Sequence, residues 1–334
     1  MRVSRWPQST YTWPGLTVWQ RTSLGNSINN DNATAVDSLT RKAVYLDRVF
    51  SALSILPLWA NHALANGATI FLLLIPNRHR RVTWKNMQLC FSERSAWFRL
   101  RLFLLSMREA VKGVTELAFV WWRPPIESLA LIREIEGEAL FEAAVARGDR
   151  ILIGSPHSGC FELVSLYVAS KTRCVGLYRE PRDSGAETLY KEKRERLGAE
   201  LIRADSRGLR RLMRRAKQGY LVGILPDHQP RRGTGVFVPF FGHDAFTMVL
   251  FSKLIHRFDP VVLFAYAERL SFGRGFRIHF LKPDPGIYDL DLQVSASAMN
   301  RTVERIARTH LAQYGWSYKR FAQRPDGSVF EYDT

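Results

Sequence analysis

Six short apolar runs, each rich in β-branched or aromatic residues, follow one another between residues 151 and 281 and are separated by helical stretches or turns. Runs of this length that alternate with helices are typical of a sheet with helices on both faces. The sequence therefore predicts an α/β fold in which a central mixed sheet is flanked by helices. The predicted strands are ILIGS, RCVGLY, ELIRA, YLVGILPD, VVLFAYAE and FRIHFL.

A long uncharged segment precedes this region. Between Val49 and Pro76 there is no Asp, Glu, Lys or Arg, and about 20 apolar residues are enough to cross a bilayer. Pro57 would bend a helix, and basic residues flank the segment on both sides. Three interpretations stay open: a spanning helix, a helix pair inserted into one leaflet, and a buried core pair.

The remaining parts of the chain set the domain limits. A run rich in Ser, Asn and Thr within residues 1–40 has no periodicity, which predicts a tail without stable structure. Between Glu93 and Glu138 apolar residues recur at helical spacing until two tryptophans and two prolines interrupt them. We expect a tail at 1–40, a membrane-associating helical segment at 41–76, a catalytic domain at 77–325 and a C-terminal tail at 326–334.

The charge of the chain bears on its partners. Lys and Arg number 48 against 31 Asp and Glu, so the formal net charge is +17. Such a surface attracts nucleic acid, anionic phospholipid or an acidic protein. The three cysteines form no Cys-x-x-Cys pair, and no histidine stands at metal-ligand spacing, so we expect neither a disulfide framework nor a zinc site. The first 40 residues lack an apolar signal-peptide core, and we expect the catalytic part to stay inside the cell.

Candidate catalytic residues lie in the stretch ILIGSPHSGCFELVSLYV, residues 151–168. In a regular helix the five-residue spacing of His157 and Glu162 would separate them by about 140° around the axis. Ser158 and Gly159 allow an irregular turn, which would place His157 just before a helix and Glu162 in its first turn, where imidazole and carboxylate can meet. A histidine held by a carboxylate is a general base. The alternative is a purely structural histidine beside a glutamate that favours the helix dipole.

Two other classes of function compete with this interpretation. The first is a Cys/His hydrolase, in which Cys160 would be the nucleophile. The sequence around it lacks a strained turn such as Gly-x-Ser-x-Gly, and a small residue that packs a helix start explains Cys160 equally well. Nucleic-acid binding is suggested only by the charge and by arginine-rich helices. It leaves the uncharged segment, His157 and Glu162 unexplained.

Several sequence blocks, in the same order, resemble a known family. They are NRHRRVTWKNMQLCFSE, SPHSGCFE, GLYREPRD, GILPDHQPRRGTGVFVPFFG and QYGWSYKRFAQRP. Together they make residues 46 to 325 similar to the bacterial lipid A biosynthesis lauroyl/myristoyl acyltransferases, within the lysophospholipid acyltransferase group. SPHSGCFE resembles that family's histidine, four spacers and acidic residue. Cys160 and Phe161 replace its usual Asn-Trp, and His228 stands inside its Asp-Gln pair.

The resemblance implies a glycerolipid acyltransferase-like fold and an O-acyltransferase. Such an enzyme moves a lauroyl- or myristoyl-like group from an acyl carrier protein or CoA thioester to a hydroxyl of a Kdo-lipid A precursor, a phosphorylated glycolipid. It also implies His157 and Glu162 as the catalytic pair, with no covalent enzyme intermediate. Arg179 and Asp227 are the expected substrate-binding residues. The alternative is the same chemistry on a glycerolipid, an ornithine lipid or a glycosylated lipid with CoA as donor.

Further expectations concern the surroundings of this site. We expect no metal, no bound cofactor and no nucleic-acid partner, but contact with an anionic membrane surface at the cytoplasmic face of the bacterial inner membrane. Backbone N–H groups of Gly159 and Cys160 are candidate donors to the oxyanion. The basic stripe of residues 206–217 would dock an acidic carrier protein, lie against anionic lipid or face solvent. Phe237, Phe240 and Phe241 are interpreted as core residues rather than as the acyl site.

Overall fold

The structure is a computed structural model that describes residues 44–178 and 191–332. The predicted tail at 1–40 and the predicted site residue Arg179 lie outside these residues. The strands are β1 Ile132–Glu136, β2 Ile151–Gly154, β3 Cys174–Tyr178, β4 Glu200–Arg203, β5 Leu221–Ile224, β6 Gly235–Phe240, β7 His243–Met248, β8 Val261–Arg269 and β9 Phe276–Leu281. The larger sheet has the order β1-β9-β8-β2-β5-β3-β4, and β6 and β7 form a separate hairpin.

The predicted mixed sheet is confirmed. Its neighbouring strands are parallel except for β8 and β9, which are antiparallel. All six predicted runs are strands, namely β2, β3, β4, β5, β8 and β9. The sheet also contains β1, which lies in a region where the sequence predicts only a helix and its interruption. Its sequence, IREIE, is half charged and only partly buried, so it lacks the apolar signal of a central strand.

The helices cover both faces of this sheet. They are α1 at residues 44–55, α2 Leu58–Leu74, α3 Arg78–Cys90, α4 Ala96–Leu117 with a π-helical turn at Ala118–Trp122, α5 Pro125–Leu129, α6 Glu138–Arg147, α7 Phe161–Lys171, α8 Ser206–Lys217, α9 Leu250–Phe258 and α10 Leu292–Thr309. Pro57 separates α1 from α2, as the sequence predicts. Side chains cap several of the helices; Ser95, for example, accepts the N–H of Phe98, and Asp205 accepts the N–H of Gly208.

Strand β8 divides two apolar cores. Val262 and Phe264 belong to the core on one face of the sheet, and Leu263 and Ala265 belong to the core on the other. Successive strand residues point to opposite faces, so a strand buried on both sides must be apolar throughout. This is why the predicted strands are continuous apolar runs.

Helix α2 buries several polar residues and exposes several large apolar ones. Asn61 and His62 are buried against α4, where Nε2 of His62 lies 2.6 Å from Oε1 of Glu116. On the outer side Trp59 is 63% exposed and Phe71 68% exposed. A buried core pair therefore accounts for the polar residues of this segment but not for its apolar ones.

The length and composition of the helices bear on the membrane prediction. Among the described residues, no single helix is both long enough and apolar enough to cross a bilayer. Helices α2 and α3 meet these criteria only when they are taken together, and they are bent by 84° with respect to each other.

Candidate active site

His157 lies in the loop between β2 and α7, and its ring is held by Asp227. The Nδ1 atom of His157 lies 2.8 Å from Oδ1 of Asp227, and the backbone N–H of His157 donates to Oδ2 at 2.9 Å. Strands β2 and β5 are parallel neighbours, and Asp227 follows β5. Because the carboxyl ends of parallel neighbours meet at one edge of the sheet, two residues 70 positions apart come into contact.

The state of Asp227 determines which nitrogen of His157 is free to act. Burial opposes ionisation of this carboxyl group, but the charge of His157 and the hydrogen bonds from its ring and backbone outweigh burial and hold the pKa of Asp227 well below its usual range. An ionised Asp227 accepts the proton on Nδ1 and so leaves Nε2 as the basic atom. The His157 side chain is 23% exposed, so a substrate can reach it.

Glu162 has a different partner from the one that the sequence predicts. It lies in the first turn of α7, as expected, but its buried carboxylate pairs with the guanidinium of Arg194. The expected contact between His157 and Glu162 is therefore wrong in this structure. The reason is the bend at Gly159 and Cys160, which turns the start of α7 towards Arg194, whereas His157 faces the end of β5. The catalytic role of Glu162 stays a prediction.

Backbone hydrogen bonds fix the loop that carries His157. Gly159 donates its N–H to Gln313 O at 2.9 Å, and Cys160 donates to Ala267 O at 2.9 Å. The carbonyl of His157 accepts the N–H of Gly315 at 2.8 Å. At Gly159 φ is +60°, and a Cβ atom would overlap the carbonyl oxygen of Ala267, so glycine is required. The expected oxyanion role of these two N–H groups is wrong here, because both groups already have partners.

Cys160 is a buried packing residue. Burial raises the pKa of its thiol well above the usual range, so the thiol stays protonated. Only the thiolate is a competent nucleophile, and a buried, protonated thiol is inert. The geometry therefore favours the packing role that the sequence suggests over a Cys/His hydrolase.

Aromatic rings enclose His157 on the side towards the C-terminus. Its ring stacks on His228 with centroids 4.1 Å apart, and His228 in turn lies 4.6 Å from the ring of Tyr318. Asn86 of α3 donates to the carbonyls of Trp316 and Tyr318 at 2.7 and 2.9 Å, which ties this C-terminal segment down. The sequence blocks that are far apart along the chain thus meet around one histidine.

A mainly apolar cavity of about 100 Å³ lies beside the loop, between the sheet and α7. Ser155, Phe161 and Glu162 line the end that is nearest to His157, and the ring of Phe161 lies 4.7 Å from that of His157. Gly176 and Gly223 line it from the sheet, where a Cβ atom would meet no atom closer than 3.6 Å.

Comparison with known proteins gives the family of the chain. A family model described as bacterial lipid A biosynthesis acyltransferase matches residues 38–323. The chain belongs to this family. Membership makes it an O-acyltransferase of lipid A biosynthesis, which confirms the resemblance drawn from the sequence blocks.

The similarity to individual lipid A acyltransferases is modest in identity but long in extent. The lipid A biosynthesis lauroyltransferase of Escherichia coli K12 is 24% identical over 278 residues, 83% of this chain and 90% of the relative. The palmitoleoyltransferase of the same organism is 23% identical over 251 residues, 75% of this chain and 81% of the relative. A lipid A biosynthesis acyltransferase of Haemophilus influenzae is 23% identical over 256 residues, 76% and 81% of the two chains.

The structure brings the predicted residues His157 and Asp227 together, in a pairing that the sequence does not predict. Asp227 was singled out because it ends a strand, but as a substrate-binding residue rather than as the partner of His157. Arg194 was missed. Its only sequence signal is a cluster of alternating charges, KEKRER, which is typical of a solvated surface and gives no hint of a buried cation.

Proposed function

We propose that this protein transfers a lauroyl- or myristoyl-like acyl group from an acyl carrier protein thioester to a hydroxyl of a Kdo-bearing lipid A precursor. The observation that carries the proposal is the pairing of His157 with Asp227, next to an apolar cavity that suits an acyl chain. Family membership supports the acceptor class, because lipid A biosynthesis is what the family is described by.

The proposed reaction is a single direct transfer. Nε2 of His157 removes the proton from the acceptor hydroxyl, and the alkoxide attacks the thioester carbonyl. The C–S bond then breaks, and the carrier thiolate leaves and takes up the proton from Nε2. Asp227 stabilises the imidazolium that forms in between. This step needs no covalent bond to the enzyme, which agrees with the protonated thiol of Cys160.

Glu162 and Arg194 are proposed as positioning residues. A buried arginine needs an anionic partner, and Glu162 is the partner that the structure gives it. The guanidinium lies over the ring of Trp121, 5.6 Å from its centroid, and all three residues line the cavity. Their pairing holds the start of α7, and with it the loop of His157, against the cavity.

The apolar cavity is the proposed site of the acyl chain. Aliphatic residues of β2, β3, β5 and α7 form the apolar part of its wall. Ser155 is a polar residue at the end near His157, and its buried hydroxyl has no hydrogen-bond partner among the described residues. We propose that this hydroxyl donates to the thioester or to the oxyanion, in place of the N–H groups of Gly159 and Cys160.

The basic face of α8 is the proposed docking surface of the donor. Arg207, Arg210 and Arg214 on this helix are exposed. A fourth arginine, Arg211, pairs with Glu200 at 2.6 Å, and Glu200 lines the acyl cavity. A basic surface beside the cavity suits an acidic carrier protein, whose charge would steer the encounter. CoA, which carries phosphates, remains the alternative donor.

The outer side of α2 is the proposed contact with the membrane. Its exposed apolar residues would enter the lipid, while its buried polar residues keep the helix attached to α4. The net charge of +17 favours an anionic surface. We place this contact at the cytoplasmic face of the bacterial inner membrane, where an acyl carrier protein and a lipid precursor can meet.

The test is transfer of labelled lauroyl or myristoyl groups from acyl carrier protein to a Kdo-bearing lipid A precursor in membranes. Wild type, His157→Ala, Asp227→Ala and the matched control His256→Ala are compared; His256 is exposed and bonds only to the carbonyl of Asp289. Activity in wild type and control that collapses in the other two supports the proposal. If the protein acylates a glycerolipid from acyl-CoA but does not acylate the precursor, the proposed acceptor and donor are wrong. Full activity of His157→Ala would overturn the mechanism.

A further inference from the structure

Three side chains with metal-binding atoms meet at a place that the proposed reaction does not use. They are Glu268 on β8, His279 on β9 and His310, which follows the last residue of α10. Their ligand atoms all lie within 4.8 Å of one another. The sequence gives no sign of this cluster, because 42 positions separate its first and last members and no two members stand at a short metal-binding spacing.

The distances between the ligand atoms suit a tetrahedral ion. Nε2 of His279 lies 3.0 Å, and Nε2 of His310 lies 3.6 Å, from Oε2 of Glu268. Zinc–nitrogen and zinc–oxygen bonds of about 2.0–2.1 Å at tetrahedral angles separate two ligand atoms by about 3.3 Å. Both distances from Glu268 lie close to this value, and the ligand atoms of His279 and His310 lie within 4.8 Å of each other.

The second nitrogen of His279 is oriented in the way that metal-bound histidines are. Nδ1 of His279 lies 3.0 Å from Oε2 of Glu136 on β1. A carboxylate that accepts the other ring N–H fixes the tautomer of a ligating histidine and makes it more basic. The ring of Tyr266 stacks on His279 at 4.4 Å with an angle of 5° between the planes, which fixes the ring orientation.

The local charge also suits a divalent cation. Arg277 contacts Glu134, Glu136 and Glu268, with nitrogen–oxygen distances of 2.6, 3.5 and 3.3 Å. Three carboxylates against one guanidinium leave a formal charge of −2 when both imidazoles are neutral. The single charge of Arg277 offsets only one of the three carboxylates. The remaining negative charge still attracts a divalent ion.

We propose that Glu268, His279 and His310 bind one divalent metal ion of the zinc class, with water in the remaining position. A mixed set of imidazole and carboxylate ligands with this geometry is typical of zinc rather than of magnesium or calcium, which prefer oxygen ligands. The His310 side chain is 25% exposed and the other two are 12–13% exposed, so the ion can reach the site from solvent.

The position of this site suggests what the ion does. Gln313 donates its N–H to the carbonyl of His310 at 2.8 Å and accepts the N–H of Gly159 at its own carbonyl. Its side-chain oxygen also accepts the N–H of Arg269, the residue after Glu268. An ion that joins His310 to Glu268 thus clamps the segment that holds the His157 loop. Its role is to position this loop, and it takes no part in the transfer itself.

The experiment measures metal binding to the full-length, tag-free protein in detergent. After treatment with a chelator, the protein is dialysed against Zn²⁺, and the bound metal is counted by mass spectrometry. Binding of Co²⁺ is followed by visible absorption, which reports the coordination geometry. Wild type is compared with His310→Ala, with Glu268→Gln, which keeps the shape of the side chain, and with His256→Ala as a control outside the cluster.

We expect one tightly bound Zn²⁺ per chain in wild type and in His256→Ala, tetrahedral or five-coordinate Co²⁺ bands, and at least a tenfold loss of affinity in the other two variants. Melting without metal shows whether each variant is folded, and zinc should raise the melting temperature of wild type but not of His310→Ala. If wild type binds no zinc, or if His310→Ala and Glu268→Gln bind it equally well, the proposal is wrong. None of these readouts depends on acyl transfer.

Discussion

The carboxylate of Asp227 holds both the ring and the backbone of His157. One oxygen lies 2.8 Å from Nδ1 and the other 2.9 Å from the backbone nitrogen. A carboxylate that contacts a residue twice fixes the orientation of the imidazole as well as its tautomer, and so determines where Nε2 points.

Replacement of Asp227 by asparagine should leave the fold intact but remove the charge that stabilises the imidazolium. We expect kcat to fall by about 10²–10⁴-fold with little change in KM, since comparable changes in His–carboxylate pairs have effects of this size. Steady-state transfer from labelled acyl carrier protein measures both constants. An unchanged kcat would show that Asp227 does not support the base.

The lowered pKa of Asp227 gives stability a defined dependence on pH. A carboxyl group whose pKa is lower in the folded state contributes stability that is present above its unfolded value, about 3.9, and is lost as the pH falls through the folded value. Unfolding by urea should therefore show that wild type loses more free energy of unfolding than Asp227→Asn between neutral pH and the lowest pH at which both variants fold. Parallel curves would contradict the pairing.

The ion pair of Glu162 with Arg194 predicts a stability effect that a purely catalytic glutamate would not have. Glu162→Gln removes the carboxylate charge that pairs with the guanidinium of Arg194, and the free energy of unfolding should fall by about 3–5 kcal/mol. Arg194→Met should cost a similar amount, and the double variant should cost less than the two changes added together. Urea unfolding measures all three. If Glu162→Gln lowers kcat without a loss of stability, Glu162 acts on the reaction and not through Arg194.

The sheet side of the acyl cavity predicts control of chain length. Gly223 lines this cavity, and a Cβ atom there would meet nothing closer than Val175 O at 3.9 Å, so a larger side chain enters empty space. Gly223→Ala and then Gly223→Leu should shift the preferred donor progressively towards shorter acyl chains. Competition between acyl carrier proteins loaded with chains of different length measures this. Gly67→Ala, at a helical glycine with open space around it, is the control and should have no effect.

The outer side of α2 predicts membrane binding without a role in stability. Trp59→Ser and Phe71→Ser should each weaken binding to vesicles that contain anionic phospholipid by about tenfold, because each side chain loses about 1.5 kcal/mol of apolar transfer. Both residues are exposed, so the melting temperature should hardly change. Leu290→Ser, at a position that is 83% exposed and lies outside α2, is the control. Equal binding of all variants would show that the membrane contact is not made by these residues of α2.

The sequence predicts the local structure of this protein well and its long-range contacts less well. The six apolar runs could be predicted as strands because a strand buried on both faces must be apolar, and such a run can be recognised in the sequence. β1 and the cluster at Glu268 were not predicted, because their residues are charged and become informative only when neighbouring strands are known.

The candidate site shows the same division. The turn that His157 and Glu162 require was predicted from Ser158 and Gly159, and it exists. The partners of both side chains were not predicted, because they depend on the order of strands in the sheet and on Arg194, whose buried position has no local sequence signal. A single spacing can point to a candidate histidine, but it cannot identify the residue that holds its ring.

The hydrogen bonds between the His157 loop and residues 313–315 have a consequence for biosynthesis. Gly159 donates to Gln313 O, and the carbonyl of His157 accepts from Gly315 N, so the loop is fixed by residues that lie more than 150 positions later in the chain. A ribosome releases the N-terminal part of a chain first, and contacts with later residues can form only when those residues have emerged. The apolar face of α2 is thus synthesised long before His157 reaches its working position. If α2 contacts the membrane as proposed, the nascent protein can meet the lipid surface before the loop of His157 is assembled.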